Sequence, residues 1–169
     1  VNVIQGAALA GAKMIIAIDR DARRLDDGLV FGATHIIDAS DSDPVAVVRQ
    51  LTDGRGVDYA FEAVGLPVTI QQAYDCLAKR GVAMTVGIAP TATEVTISPV
   101  GLVYEERVLT GSLYGSAAPK TDIPMMIELY RNGRLKLDEL LTRAYPIEEI
   151  NEAYEGMKSG ETLRSVVTF

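Results

Sequence analysis

The sequence predicts an α/β fold with a doubly wound parallel sheet, and two observations predict it. Short apolar runs alternate with helical segments from residue 13 to residue 113, which is the rhythm of βαβ units. The first run is apolar almost throughout rather than alternating, as strands buried on both faces of a parallel sheet are. Right-handed crossovers then put helices on both sides of the sheet.

Each element has its own signal. Residues 1–10 read as helix from the first position, with no N-cap before them, and Gly11 closes that helix. A chain that opens in mid-element reads as a piece whose upstream part is missing. Residues 13–19 are a strand ending in Asp19, and 21–30 are a polar helix stopped near Gly32. A strand over 34–38 is followed by a helix over 44–51, with Pro44 in its first turn. Residues 57–64 form a strand ending at Gly65, 67–79 a helix, 81–87 a strand, and 107–113 the last strand of this sheet.

Beyond residue 113 the alternation stops. A helix over 121–132 ends at Gly133, and 135–141 reads as irregular or helical. Ile147, Ile150, Ala153, Tyr154 and Met157 share one helical face, Gly160 ends that helix, and 164–169 are a final strand. The expected division is 1–113 as a dinucleotide-binding domain and 114–169 as a segment packing partly on another domain.

Composition narrows the function. Sixteen basic against twenty-three acidic residues give a net charge of -7, which disfavours nonspecific binding to nucleic acid or an anionic membrane. No apolar run approaches the roughly 20 residues of a membrane span, so a cytoplasmic protein is expected. One cysteine, Cys76, allows neither an internal disulfide nor a cysteine-rich zinc site within these residues. Cys76 lies beside Tyr74 and Leu77 and reads as a packing thiol, and His35 opens a strand far from any acid–base partner. No Ser-His-Asp set, metal-ligand cluster or P-loop is present.

Asp19 is the residue with most chemical content. In dinucleotide-binding folds the second strand ends in an acid that accepts hydrogen bonds from ribose hydroxyls, about 20 residues beyond a glycine turn that admits the pyrophosphate. Counting back from Asp19 lands just before Val1, so the turn would precede this chain, and residues 1–10 would be the helix whose N-terminus faces the phosphates. Gly6 and Ala10 are small, as close packing on a sheet requires. By itself Asp19 reads equally as a cap for the next helix, and methyltransferases that use S-adenosylmethionine place an acid at the same strand end. Arg24, five residues on, is within reach of the same ribose or is a solvated side chain. Gly65 and Gly87 follow two parallel strands at the edge where cofactors bind, where glycine admits close backbone approach or a sharp turn.

Several motifs taken together resemble one family. Gly11-Ala12-Lys13-Met14-Ile15-Ile16-Ala17-Ile18-Asp19, Phe31-Gly32-Ala33-Thr34, Gly56-Val57-Asp58-Tyr59-Ala60-Phe61-Glu62 and Gly111-Ser112-Leu113-Tyr114-Gly115 closely resemble zinc-containing medium-chain alcohol dehydrogenases. Residues 150–160 and the closing Leu163-Arg164-Ser165-Val166-Val167-Thr168-Phe169 continue the match in order. The branch resembles class I and class III enzymes and their bacterial relatives, including those acting on thiol adducts of formaldehyde.

That resemblance implies a Rossmann-like coenzyme domain lacking its first strand, with NAD as cofactor. It implies that Asp19 and Arg24 hold the adenosine ribose, and that Ala63, Val64 and Gly65 line the path of the two riboses. It also implies that Val86, Gly87 and Ile88 contact the nicotinamide side, that backbone of Val86, Ser112 and Tyr114 holds the carboxamide, with Leu113 also among the cofactor-binding residues, and that Arg164 pairs with the pyrophosphate. It implies a homodimer joined through the strand 107–113, an alcohol or aldehyde substrate, and a zinc whose ligands lie outside these residues. Strand one is central in such a sheet, so its absence would leave its two neighbours unpaired, and the chain alone is expected to be inactive. Two further readings stand beside this: a zinc-free quinone or enoyl reductase sharing the coenzyme domain, and a nucleotide-binding or dimerisation module without chemistry.

Overall fold

The computed structural model describes residues 1–160 and 162–169. They form two compact units, Val1–Ala118 and Pro119–Phe169.

The first unit opens with helix α1 (Asn2–Leu9). Gly11 ends it at a φ of 77°, where an L side chain would be strained. The Gly11 N–H donates to the Ala8 carbonyl and the Ala12 N–H to the Ala7 carbonyl, which satisfies the last turn in a Schellman arrangement. The close packing expected at Gly6 is not seen, because a Cβ there would meet open space.

Strands β1 (Ile16–Asp19) and β2 (His35–Asp38) pair in parallel, from Ile16 opposite His35 to Asp19 opposite Asp38. Helix α2 (Ala22–Val30) crosses between them and lies close because residue 28 is glycine; a Cβ on Gly28 would fall 3.1 Å from that of Ala17. Helix α3 (Pro44–Leu51) starts where Asp43 accepts a hydrogen bond from the Val45 N–H and Pro44 presets the first turn.

A second parallel group follows the order β3–β4–β5, with β3 Val57–Glu62, β4 Leu77–Thr85 and β5 Val108–Gly111. Helix α4 (Pro67–Asp75) is shorter than the 67–79 predicted from periodicity. The chain leaves the helix at Cys76 because Leu77, fully buried, pairs with Val57. The register shifts before Tyr59 meets Val82, and Arg80 takes a φ of 63° within this irregularity. Helix α5 (Pro99–Tyr104) is six almost uniformly apolar residues, with no periodicity to mark it in the sequence.

Among the described residues β1 pairs only with β2, and β3 pairs only with β4. The parallel strands of this unit are therefore in two groups, and β1 and β3 each have one edge without a partner among the described residues. What joins the groups is apolar packing. Ile37, Val48 and Cys76 are buried together, with Ile16 from β1 and Val57 from β3 against them. Tyr74, Leu77 and Ala83 form a second cluster under Leu109 of β5. Burial of an aliphatic side chain such as Ile37, Val48 or Leu77 contributes roughly 1.5–3 kcal/mol.

The second unit contains helix α6 (Pro119–Arg131), strand β6 (Leu141–Pro146), helix α7 (Ile150–Ser159) and strand β7 (Arg164–Thr168). β6 and β7 are parallel, with α7 as the crossover. The stretch expected to be irregular or helical is a single 3-10 turn, Asp138–Leu140, and β6 follows it. Helix α7 buries Ala153 and Gly156 rather than its larger apolar residues, and leaves Tyr154 and Met157 exposed. The reason is Tyr145, which is fully buried; a Cβ on Gly156 would fall 2.8 Å from its hydroxyl.

Candidate functional site

Three parallel neighbours end on one edge of a sheet, so the loops that follow them are brought together. After β3 come Ala63, Val64 and Gly65; after β4 come Val86, Gly87 and Ile88; after β5 come Ser112, Leu113 and Tyr114. In open α/β sheets the carboxyl ends of the strands are where ligands bind.

The first two loops touch through their backbones. A Cβ on Gly87 would fall 2.3 Å from the Gly65 nitrogen and 2.7 Å from the Val64 carbonyl carbon. A Cβ on Gly65, whose φ is 85°, would fall 2.6 Å from the Ile88 carbonyl oxygen. Neither position accepts a side chain, so the ledge they form is bare backbone. Apolar side chains stand unburied around it: Val64, Ile88 at 85% exposure, Leu113, and Tyr114 at 91%. Ser112 extends the ladder, its N–H donating to the Thr85 carbonyl at 3.0 Å.

A residue that motif reading passed over holds this ledge. Glu62, the last residue of β3, is only 4% exposed. Its Oε1 accepts the N–H groups of Val64 and Gly65, each at 2.8 Å, and the Thr69 hydroxyl at 2.7 Å. Its main-chain carbonyl accepts the N–H groups of Val86 at 2.7 Å and Gly87 at 3.0 Å. The signal in the sequence is an acid closing an apolar strand three residues before a glycine.

Asp19 ends β1, half-buried, and the structure separates it from the role of helix cap. Asp21 caps α2, its carboxylate accepting from the Arg23 N–H. The side-chain hydrogen bond from Arg23 also holds the Asp21 carboxyl below the usual carboxylate range. In Asp19, Oδ1 accepts the Arg20 and Asp21 N–H groups at 2.7 and 3.0 Å, which fixes the rotamer. Oδ2 faces the Arg24 guanidinium at 3.9 Å. Asp19 and Arg24 are thus brought together, and both remain accessible to a ligand. Arg164 begins β7 in the second unit, with its side chain exposed.

The other reactive groups are accounted for locally. Thr34 Oγ1 lies 2.8 Å from His35 Nδ1. Cys76 is buried between α3 and the strands, and that burial pushes its thiol up to about 11, far from a nucleophile's range. Among the described residues no group of three His, Cys, Asp or Glu side chains is arranged to hold a metal. No helix among them is long and apolar enough to cross a membrane.

Comparison with known proteins agrees with this geometry. Residues 1–132 match the family described as zinc-binding dehydrogenase. An NDMA-dependent alcohol dehydrogenase of Amycolatopsis methanolica is 38% identical over 170 residues, covering 99% of this chain and 46% of that protein. A class-3 alcohol dehydrogenase of Dictyostelium discoideum is 40% identical, covering 98% of this chain and 45% of that protein. Among solved structures, benzyl alcohol dehydrogenase from Acinetobacter calcoaceticus superimposes with a TM-score of 0.93 at 33% identity, covering 97% of this chain and 45% of that one. The chain spans about 45% of the length of these relatives. Its α/β fold with parallel strands is the Rossmann-like fold of their coenzyme-binding domains, and by sequence and structure alike the chain belongs to the zinc-binding dehydrogenase family.

Proposed function

We propose that these residues are the coenzyme-binding half of an NAD-dependent, zinc-containing alcohol dehydrogenase. The observation that carries the reading is the bare backbone ledge of Gly65 and Gly87 at the carboxyl ends of β3 and β4. A dinucleotide needs such a surface, because a side chain at either glycine would drive the two loops apart and break up the ledge over which the coenzyme would lie. NAD, when bound, supplies the acceptor for the hydride of the alcohol.

The chain's own residues bind and orient it. Asp19 Oδ2 would accept from the ribose hydroxyls of the adenosine, with Arg24 beside the same sugar. Ala63, Val64 and Gly65 would line the path of the riboses, and Val86, Gly87 and Ile88 would contact the nicotinamide side. The N–H groups of Val86 and Ser112 are already engaged, so their carbonyls are the groups that would accept the carboxamide, with Leu113 and Tyr114 beside them. Arg164, from the segment 114–169 that would return to the catalytic domain, is the residue that the family resemblance would assign to the pyrophosphate, since arginine pairs with phosphate oxygens.

The open edges of β1 and β3 support a further central strand, with its phosphate-binding turn, supplied by polypeptide outside this chain. Zinc would be held there too. The described residues do not fit a zinc site. The free edge of β5, within 107–113, supports pairing of two copies into a cytoplasmic homodimer. The alcohol dehydrogenases among the relatives favour this reading over a zinc-free reductase or a module without chemistry.

Calorimetry on the full-length polypeptide with NAD, NADP and S-adenosylmethionine tests it. NAD is expected to bind most tightly, and S-adenosylmethionine not at all. Preference for S-adenosylmethionine, or no binding of any of the three, overturns the proposal.

A further inference from the structure

Glu62 raises a question that stability does not answer. A carboxyl group removed from water costs free energy unless its oxygens are paired. One oxygen of Glu62 accepts three hydrogen bonds, yet Oε2 is buried and has no partner among the described residues. A hydroxyl or amide oxygen would accept hydrogen bonds here without that cost. What the longer carboxylate achieves is reach. From the end of β3 it holds Val64, Gly65 and the first turn of α4 through Thr69, where its negative charge also suits the helix N-terminus. The same residue's carbonyl holds Val86 and Gly87 from the other side. Five donors from two loops and one helix therefore converge on one residue, and four of them are backbone amides of the coenzyme ledge.

We propose that Glu62 is a positioning residue of the coenzyme site, fixing the 63–65 loop with its side chain and the 86–88 loop with its main chain, and so setting the affinity for the dinucleotide. The inference rests on the coenzyme reading above. Its physical basis is that Gly65 and Gly87 are already in van der Waals contact, so a small displacement of one loop displaces the other. The charge-assisted bonds to the Val64 and Gly65 amides prevent that displacement.

The test uses the full-length polypeptide that carries this chain. Glu62→Leu removes the acceptor at similar volume; Glu62→Gln keeps a neutral acceptor oxygen and is the rescue. Glu62→Leu is expected to raise KM and Kd for NAD about tenfold, with kcat within about threefold of wild type and KM for the alcohol unchanged. Glu62→Gln is expected to recover NAD binding to within about threefold of wild type. If Glu62→Leu fails to fold, Glu62→Asp, whose carboxylate is one methylene too short to reach both amides, replaces it with the same expectation. A folded Glu62→Leu or Glu62→Asp that keeps NAD affinity within about twofold, or loses kcat alone, overturns the proposal. Wild-type protein that binds no nicotinamide dinucleotide overturns the coenzyme site itself, and Glu62's role with it.

Discussion

The backbone of Gly87 rests against that of Gly65 so closely that a Cβ on Gly87 would lie 2.3 Å from the Gly65 nitrogen. Both glycines lie in loops that follow parallel strands, and neither loop can shift without the other. Gly87→Ala should therefore force the β3 and β4 loops apart. A cost of about 1–3 kcal/mol is expected from overpacking, measured by urea unfolding. NAD affinity should fall in parallel, because the loops that separate are the ledge itself.

Asp19 and Arg24 make the second prediction. Replacing Asp19 with Ala removes a charged acceptor, and hydrogen bonds to charged groups contribute about 1.5–3 kcal/mol. NAD affinity in the full-length polypeptide should drop roughly tenfold to a hundredfold. NADP binding should improve, since a carboxylate no longer opposes a 2′-phosphate and Arg24 remains to pair with it. Titration with both nucleotides checks the crossing; an unchanged preference counts against Asp19 as the selecting residue.

Cys76 gives a pH dependence of definite sign. Burial raises its thiol to about 11, from an ordinary value of 9.0. The folded state then holds its proton over a range where the unfolded chain has lost it. This contribution to stability is fully present below about pH 9 and is lost as pH rises toward about 11. Unfolding free energy measured across that window should fall more steeply in wild type than in Cys76→Ala. Below it, a thiol reagent should label the unfolded chain and spare the folded one.

The 169-residue chain by itself is expected to bind NAD weakly or not at all, and to turn over no alcohol. The edges of β1 and β3 stay open within it, and no described cluster of its residues fits zinc. Calorimetry and an alcohol-oxidation assay on a species of verified mass check this. Measurable oxidation would refute it.

Much of the proposed site was legible because its signals are local. Asp19 stands at the end of an apolar run, and Gly65 and Gly87 follow strands whose backbone must turn or approach closely. Glu62 was not singled out. Its importance lies in donors from Val64, Gly65, Thr69, Val86 and Gly87, and two of those come from the next strand's loop. The end of α4 was missed for a similar reason. Periodicity carries the helix onward to residue 79, but Leu77 leaves it to pair with Val57 across the sheet.

The sequence by itself determined the alternation of strand and helix through residue 113, the helix stops at Gly11 and Gly160, and the family to which the chain belongs. These follow from apolar periodicity, from the backbone freedom of glycine, and from motifs contiguous along the chain. Only the tertiary structure decided that Asp21, not Asp19, caps α2. It also decided that β6 pairs with β7, and that Glu62 holds the 63–65 loop through its buried carboxylate and the 86–88 loop through its main-chain carbonyl. The physical reason is that hydrogen-bond partners far apart in sequence meet only when strands pair. Nothing in the order of the residues states that distance.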